Sequence, residues 1–309
     1  MKRKYRFIIN RILLGFLVLL GVSLITFGIL HITPGDPARL LLPQDATWKE
    51  VNDLREKLGL NRPLYIQYLV YIQGVIKGDL GESLYYRKPN LDLIKERIPA
   101  TLILSIATIL VILLISIPFG VIAGVKQGTF IDISAMSFCI LGQSVSIVWF
   151  SLLLILVFSV KLRLLPSFGY GSFRNLILPT VALVFEQAAL LTRLTRADMI
   201  GVLSEDYILA IRAKGIKENK IINLYALKNT LVPITTVAGY SFAGLMGGQM
   251  VCESIFSWPG IGQLAVNAIY GRDFPLVQSV MLVISAFVIL INLSVDIFVT
   301  FLDPRLRYD

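Results

Sequence analysis

The chain has 309 residues, of which 56% are hydrophobic and only 16% are charged, and its mean hydropathy is +0.75. Soluble domains usually carry about 25% charged residues, so this composition excludes an ordinary soluble protein. The net charge is +9, but the charges are clumped and leave uncharged stretches long enough to cross a bilayer core about 30 Å thick. Because the bilayer offers no water to exposed backbone groups, these stretches are predicted to be helices.

Five stretches contain no charged residue: 12–35, 98–125, 133–160, 229–252 and 274–295. A sixth, 175–192, is interrupted only by Glu186, and the last is expected to continue past Asp296 to about Asp303. The sequence therefore predicts an all-α integral membrane protein with about six transmembrane helices. The first stretch follows the basic start MKRKYR, but it is too long for a signal peptide and no cleavage pattern follows, so we expect an anchored helix.

The distribution of Lys and Arg predicts the orientation in the membrane. With both termini on the cytoplasmic side, 15 of the 29 basic residues lie inside and 4 lie in short outer loops, while 10 lie in a segment too long to count. We therefore predict a cytoplasmic N-terminus and first helix (1–31), an extracytoplasmic segment (32–98), a transmembrane core (99–303) with a cytoplasmic loop (193–228), and a cytoplasmic C-terminus (304–309). The excess charge is a topology signal near lipid headgroups, and no nucleic-acid partner is expected.

The extracytoplasmic segment is predicted to form a small helical cap. A turn at Asp36 and Pro37 precedes a predicted helix from Thr47 to Leu58, which Gly59 ends. Thr47 and Glu50 have the three-residue offset of a capping box. A second, aromatic-rich helix is predicted over Pro63–Ile76 at the outer interface.

Few polar side chains lie within the predicted spans. An ionised carboxylate at the bilayer centre costs at least about 2.5 kcal/mol, so Glu186 is expected either to line a translocation pathway or to be a buried structural carboxylate. Gln187 and Gln249 are further pathway candidates. Hydrogen bonds between helices are expected from Gln143, Asn292 and Asp296, and packing or structural roles are expected for His31, Cys139 and Cys252.

The cytoplasmic loop is predicted to carry a short docking helix. Ser204 is the expected N-cap, with Glu205 and Asp206 at the positive end of the helix and Gly215 as its stop. A second helix is expected to begin near Glu218. The last outer loop, Glu253 to Asp273, is predicted to be a re-entrant or gating element because of four residues: Phe256, Trp258, Pro259 and Gly260.

The motifs together resemble the permease subunits of ABC importers, in the variant typical of the dipeptide, oligopeptide and nickel family. DYILAIRAKG (206–215), followed by Pro233 eighteen residues after its Gly, resembles the loop of these permeases. The other matching segments are ITPGDPA (32–38), LGLNRPLYIQY (58–68), GDLGES (78–83), PATL (99–102), FSWPGIGQL (256–264), RDFPLVQ (272–278) and DPRLR (303–307).

The resemblance implies the fold of a type I ABC importer permease, one half of a translocation pathway for short peptides in a prokaryotic cytoplasmic membrane. It implies a second homologous permease, two cytoplasmic ATP-binding subunits and an extracytoplasmic substrate-binding protein as partners. The chain itself is expected to be non-catalytic and to hold no cofactor, because it has no P-loop, so ATP and Mg²⁺ belong to the partners. The coupling helix, roughly Ser204 to Lys217, is expected to dock through these residues: Ser204, Glu205, Asp206, Tyr207, Ala210, Arg212, Ala213, Lys214 and Gly215.

The chain departs from the family pattern at one motif, and the sequence leaves two alternatives, one for the substrate and one for the class of protein. The general importer motif places Glu-Ala-Ala six, five and four residues before its Gly, where this chain has Leu209, Ala210 and Ile211. Within the same class, the substrate is alternatively nickel, a metal chelate or glutathione. In a different class, an ATP-independent secondary transporter or channel is expected to show internal repeats or paired ion ligands in unwound spans.

Overall fold

The computed structural model describes residues 2–32, 38–39, 42, 46–57 and 59–302. The described chain is helical apart from an isolated β-bridge between Glu82 and Pro89. Its helices, in chain order, are α1 (Lys2–Ile32), α2 (Trp48–Lys57), α3 (Leu64–Ile76), α4 (Asn90–Val125), α5 (Phe130–Ser144), α6 (Ile147–Leu154, continued by a π-helix at Ile155–Lys161), α7 (Phe173–Leu203), α8 (Asp206–Ala213), α9 (Glu218–Lys220, continued by a π-helix at Ile221–Ala226), α10 (Leu227–Met246), α11 (Met250–Ile255), α12 (Ile261–Tyr270) and α13 (Phe274–Leu302).

Four of the described helices are long and apolar enough to cross a membrane: α1, α4, α7 and α13. The bent pair α5 and α6 makes a fifth if it is counted as one span. The remaining predicted span, 229–252, is divided between α10, which has 20 residues and ends at Met246, and the start of α11; neither helix belongs to this group. Length and composition therefore support four or five spans of the six predicted.

The predicted span 133–160 is broken in the middle. α5 and α6 meet at an angle of 100°, where Val145 is extended with φ −87° and ψ 127°. Ser144 turns its hydroxyl back onto the carbonyl of Ile140, at 2.8 Å, and such side-chain bonds compete with helix continuation. Next to the break, a Cβ on Gly142 would lie 2.6 Å from the carbonyl oxygen of Phe185, so α7 fixes the bend by close contact.

Two predicted spans are the apolar parts of longer helices. α4 begins at Asn90, eight residues before the predicted start at Ile98, and its charged first turns precede the apolar part. α7 continues from the predicted end at Thr192 to Leu203 and so approaches the loop as one rigid rod. The bundle is organised around the packing of α4 on α7, and α13 packs on both α1 and α10.

The extracytoplasmic segment agrees with its predicted local structure. Thr47 and Glu50 form the capping box: the Thr47 amide donates to the Glu50 carboxylate at 2.8 Å, and the Glu50 amide donates back to the Thr47 hydroxyl at 3.4 Å. The amide and the hydroxyl of Thr47, which both donate to the Glu50 carboxylate, lower the pKa of Glu50. Gly59 follows α2 with φ +68°, and α3 begins directly after Pro63. The Asp36–Pro37 turn, the DPRLR motif and residues 304–309 lie outside the described residues.

The polar residues assigned to helix contacts have mixed outcomes. Asp296 joins three helices, because it pairs with Arg11 at 3.2 Å and accepts the Tyr240 hydroxyl at 2.9 Å. The expectation is wrong for Gln143, which is exposed, and for Asn292, whose amide oxygen is buried without a hydrogen-bond partner. Cys139 and Cys252 are free and buried, as packing residues should be; the side chain of His31 is outside the described part.

Candidate coupling loop, pathway and gate

The predicted docking helix is present as α8, but its start differs from the expectation. Ser204 is not its N-cap: it ends α7, and its hydroxyl donates to the carbonyl of Gly201 at 2.7 Å. Glu205 occupies the N-cap position without a side-chain cap, and Asp206 lies in the first turn. Because α7 extends to Leu203, Ser204 belongs to the preceding helix. Gly215 follows α8 in the left-handed region with φ +74°, as expected of a helix stop.

One face of α8 is anchored to the membrane helices. Ile208 is fully buried, as is Ile221 on the return helix. The amide of Asn229, in α10, donates to the Tyr207 hydroxyl at 2.7 Å. Across the turn at Gly215, the guanidinium of Arg212 donates to the carboxylate of Glu218 at 2.6 and 3.2 Å. These two hydrogen bonds raise the pKa of Arg212 and lower the pKa of Glu218. The helix is thus held at both ends.

The opposite face of α8 is exposed. Leu209 is 56% exposed, although it is a large apolar residue, and Ala210, Ala213 and Lys214 are exposed beside it. A short helix with an anchored face and an apolar exposed face has the form that enters a groove on another protein. Leu209 stands at the position of the motif's missing Glu, so this face presents a hydrocarbon side chain there.

The pathway candidates lie on and near α7. Glu186 is exposed, and no described residue bonds to its carboxylate. Together with Leu190, Arg193 and Ala197 it forms an exposed stripe at the spacing of one helix face, on a helix whose other faces are packed. Gln187 is half-buried and its amide oxygen has no hydrogen-bond partner. Gln249 is half-buried at the N-cap of α11, and no described hydrogen bond joins it to Glu186.

Aromatic rings connect the stripe to the bent span. Phe185, next to Glu186, stacks on Phe150 with ring centroids 4.2 Å apart. Phe138 meets the same ring edge-on at 5.5 Å. Both arms of the bent span therefore rest on the part of α7 that presents Glu186.

Of the four residues predicted to form a gate, Phe256, Trp258 and Gly260 are buried and Pro259 is half-buried. Phe256 and Trp258 are each 2% exposed, and the Trp258 indole donates to the carbonyl of Ala100 in α4 at 2.9 Å. Tyr170 packs edge-on against Trp258 at 4.9 Å. The loop is folded inward as α11 and α12 instead of forming a plain turn, because its aromatic residues are buried against α4 and the chain before α7.

Glu253, three residues before Phe256, carries a buried carboxylate. From the sequence it was predicted only to mark the start of the loop. It is fully buried and accepts the amide of Gln263 at 2.9 Å and the hydroxyl of Thr101 at 3.2 Å. Its carboxylate lies against Gly260 and Gly262, where a Cβ has no room. In the sequence, Glu253 directly follows an apolar stretch, and Gly260 and Gly262 come seven and nine residues later. This pattern was the one sequence feature from which a loop closing over a carboxylate could have been predicted.

Asp273 joins two of the motifs that carry the family resemblance. It is 1% exposed and accepts the hydroxyl of Ser83 at 2.5 Å and the amides of Leu84 and Tyr85 at 3.1 Å each. The GDLGES and RDFPLVQ segments, nearly 190 residues apart, are therefore parts of one site. These hydrogen bonds hold the segment predicted to be extracytoplasmic (32–98) against the start of α13.

Comparison with known proteins gives a consistent assignment. Residues 116–308 match the family of binding-protein-dependent transport system inner membrane components, and residues 4–107 match the N-terminal domain of such membrane components. The chain is 39% identical over 310 residues to "Probable peptide ABC transporter permease protein y4tP" of Sinorhizobium fredii, covering 98% of this chain and 99% of that protein. It is 36% identical to the dipeptide transport system permease protein DppB of Alkalihalophilus pseudofirmus, covering 97% and 98%.

Two further matches extend the comparison. The glutathione transport system permease protein GsiC of Escherichia coli is 38% identical, with 98% of this chain and 99% of that protein covered. Among solved structures, an inward-facing form of the MetNI methionine ABC transporter superposes with a TM-score of 0.59 at 19% identity, covering 69% of this chain and 97% of that chain; this likeness concerns the fold. The chain belongs to the family of inner-membrane permease components of binding-protein-dependent transport systems.

Proposed function

We propose that the chain forms half of the translocation pathway of an ATP-driven importer of short peptides. The observation that carries this proposal is α8, a short helix anchored by Ile208 and Tyr207 and exposed along Leu209. A surface of this kind transmits motion only if a partner holds it. The near full-length similarity to permeases named for peptides, dipeptides and glutathione supports the substrate class.

The partners follow from this role. Two cytoplasmic ATP-binding subunits bind and hydrolyse ATP with Mg²⁺, and one of them receives α8. A second homologous permease completes the pathway, and an extracytoplasmic binding protein delivers the peptide. This chain contributes no cofactor and performs no covalent step.

In this proposal both termini and α8 lie on the cytoplasmic side of a prokaryotic inner membrane. Seven Lys and Arg residues between 193 and 228 support this side, because insertion retains basic loops in the cytoplasm. Closure of the ATP-binding subunits then moves α8, and α7 carries the motion to the spans.

Within the pathway, Glu186 meets the ammonium group of a passing peptide. Its exposure on a helix that is otherwise packed supports this role over a buried structural carboxylate. Arg193 lies two helical turns further on the same stripe, about 10 Å along the axis. The stripe therefore offers one charge for each end of a short zwitterionic peptide.

The experiment is uptake of a labelled dipeptide by proteoliposomes that hold the whole complex with ATP inside. We expect uptake that unlabelled di- and tripeptides inhibit and that Ni²⁺ does not. Glu186→Gln is expected to lower the uptake rate about fivefold, because the loss of a desolvated charge contact is worth about 1 kcal/mol or more. Leu190→Gln is the control on the same stripe. Uptake of nickel alone, or equal rates for Glu186→Gln and wild type, would contradict the proposal.

Glutathione is the second candidate substrate. It is itself a peptide with free charged ends, and a permease for it is 38% identical to this chain. Competition by glutathione in the same assay, stronger than competition by dipeptides, would establish it as the preferred substrate.

A further inference from the structure

A buried ion pair joins three elements at the end of the bundle next to α8. Asp132, in the first turn of α5, has a side chain only 5% exposed, while that of its partner Arg196 in α7 is 24% exposed. The Arg196 guanidinium donates through Nη2 to Oδ2 at 2.8 Å and through Nε to Oδ1. The same carboxylate accepts the amide of Gly128 at 2.9 Å, in the turn that connects α4 to α5.

The helices beside this pair approach unusually closely. Gly120 and Gly124 are spaced four residues apart on α4 and face α7. A Cβ on Gly120 would lie 2.7 Å from the Thr195 methyl carbon, and one on Gly124 would lie 2.8 Å from the Met199 Cβ. Small residues at this spacing allow membrane helices to pack backbone to backbone. The ends of α4, α5 and α7 are thus fixed to one another by close packing and by a bidentate ion pair.

This assembly leads directly to the coupling helix. α7 continues past Arg196 to Leu203, and only Ser204 and Glu205 separate it from α8. Between Arg196 and Leu203, the side chain of Met199 is fully buried, and its sulfur accepts a hydrogen bond from the Thr230 hydroxyl of α10 at 3.3 Å. A displacement of α8 therefore acts on α7 at the turns that carry Arg196.

The part of α5 that follows Asp132 contacts α7 beside Glu186, the candidate pathway residue. Beyond Asp132 the same helix α5 carries Phe138 to Phe185, the neighbour of Glu186. A charge pair of this type contributes little net stability compared with apolar packing, but its fork geometry fixes the orientation of both partners. Its position connects the loop on one side with the pathway on the other.

We propose that Asp132 and Arg196 are a positioning pair that makes the bent span α5–α6 move with the coupling helix. The pair determines how much transport each hydrolysed ATP produces. This inference rests on the proposed function, because it assigns the pair a part in coupling ATP hydrolysis to uptake.

The first measurement compares uptake with ATP hydrolysis in the same proteoliposomes. We expect Asp132→Ala and Arg196→Ala to lower the ratio of peptide uptake to ATP hydrolysed at least about fivefold, the lower end of usual coupling energies. The exchanged pair Asp132→Arg with Arg196→Asp is expected to regain at least half of the ratio. Arg174→Ala, which removes an exposed Arg from the first turn of the same helix, is the control.

A second measurement does not depend on the substrate. Spin labels at Ser134 in α5 and Lys220 in α9, both exposed, report the distance between the bent span and the coupling loop in the complex with and without ATP. We expect one narrow distance distribution in wild type and a broad one in Arg196→Ala. Equal widths in the two proteins, or an exchanged pair that regains thermal stability without regaining the uptake ratio, would overturn the proposal. Absence of uptake by wild type beside a narrow distribution would instead contradict the proposed function.

Discussion

Glu253 shows how a single buried carboxylate organises the outer part of the bundle. It accepts hydrogen bonds from Thr101 in α4 and from the amide of Gln263 in α12. The amide of Ile261 bonds in turn to the Thr101 hydroxyl at 2.8 Å. Gly260 and Gly262 let the backbone close over the carboxylate. One side chain therefore holds the gate loop against the helix that begins the core.

Removal of this carboxylate is expected to destabilise the protein. Glu253→Ala leaves the buried Thr101 hydroxyl and Gln263 amide without an acceptor and opens a cavity, which together cost about 3 kcal/mol. Glu253→Gln keeps one acceptor and the volume and is expected to cost less than half as much. The thermal midpoint in detergent, compared with that of the exposed control Glu56→Ala, measures both. Equal midpoints for Glu253→Ala and wild type would show that the loop is held by apolar packing alone.

At the scale of elements, the coupling loop depends on the backbone at Gly215. Its φ of +74° is accessible to Gly and tolerable for Asn, but strained for a β-branched residue. No atom lies within 4 Å of the position of a Cβ there. A substitution at this position therefore tests the backbone conformation and not the available space.

Gly215→Val is expected to disturb coupling, because the left-handed conformation costs a β-branched residue about 1–3 kcal/mol. The expected result is a several-fold loss of substrate-stimulated ATP hydrolysis in the whole complex. Gly215→Asn is the matched control and should retain most of the stimulation. If Val and Asn behave alike, the exit from α8 does not require the left-handed conformation.

The pair between Arg212 and Glu218 makes the same loop sensitive to acid. The hydrogen bond from Arg212 lowers the pKa of Glu218 below its ordinary value of 4.5. The pair is therefore fully present above about pH 4.5 and is lost as the pH falls through the lowered pKa. A nitroxide at Lys214 should become more mobile on acidification in wild type. In Glu218→Gln it should already be mobile at pH 7; a pH response unchanged by this substitution would contradict the assignment.

Local sequence rules predicted the elements whose causes are local. The capping box at Thr47 and the stop at Gly215 depend on residues within one turn and were confirmed. The bend at Val145 was missed because an apolar stretch does not show that Gly142 will meet the carbonyl of another helix. The N-cap was wrongly placed at Ser204 because a second helix ends there.

The same limit applies to the candidate site. Glu186 could be identified from the sequence because it is the one charged residue in an apolar stretch. The structure adds that it lies on the exposed face of α7. Glu253, Asp132 and Arg196 were not singled out, because each stands beside a span end where charges are ordinary. Their significance comes from partners 64 to 152 residues away, which spacing in one sequence does not reveal.

In the whole molecule, the loop predicted to be a gate and the helix proposed to dock on a partner are joined by the long helices of the bundle. The long helices α4 and α7 connect the two, since Thr101 of α4 contacts the gate and α7 ends at Leu203 beside α8. If the proposed function is correct, ATP hydrolysis by the partner subunits responds to peptide through this chain.

The most direct test measures ATP hydrolysis by the complete complex in lipid nanodiscs, with the binding protein empty or loaded with a dipeptide, a tripeptide or Ni²⁺. We expect several-fold faster hydrolysis with the peptide-loaded binding protein than with the empty one. Hydrolysis at the same rate with empty and peptide-loaded binding protein, or stimulation by Ni²⁺ alone, would contradict it.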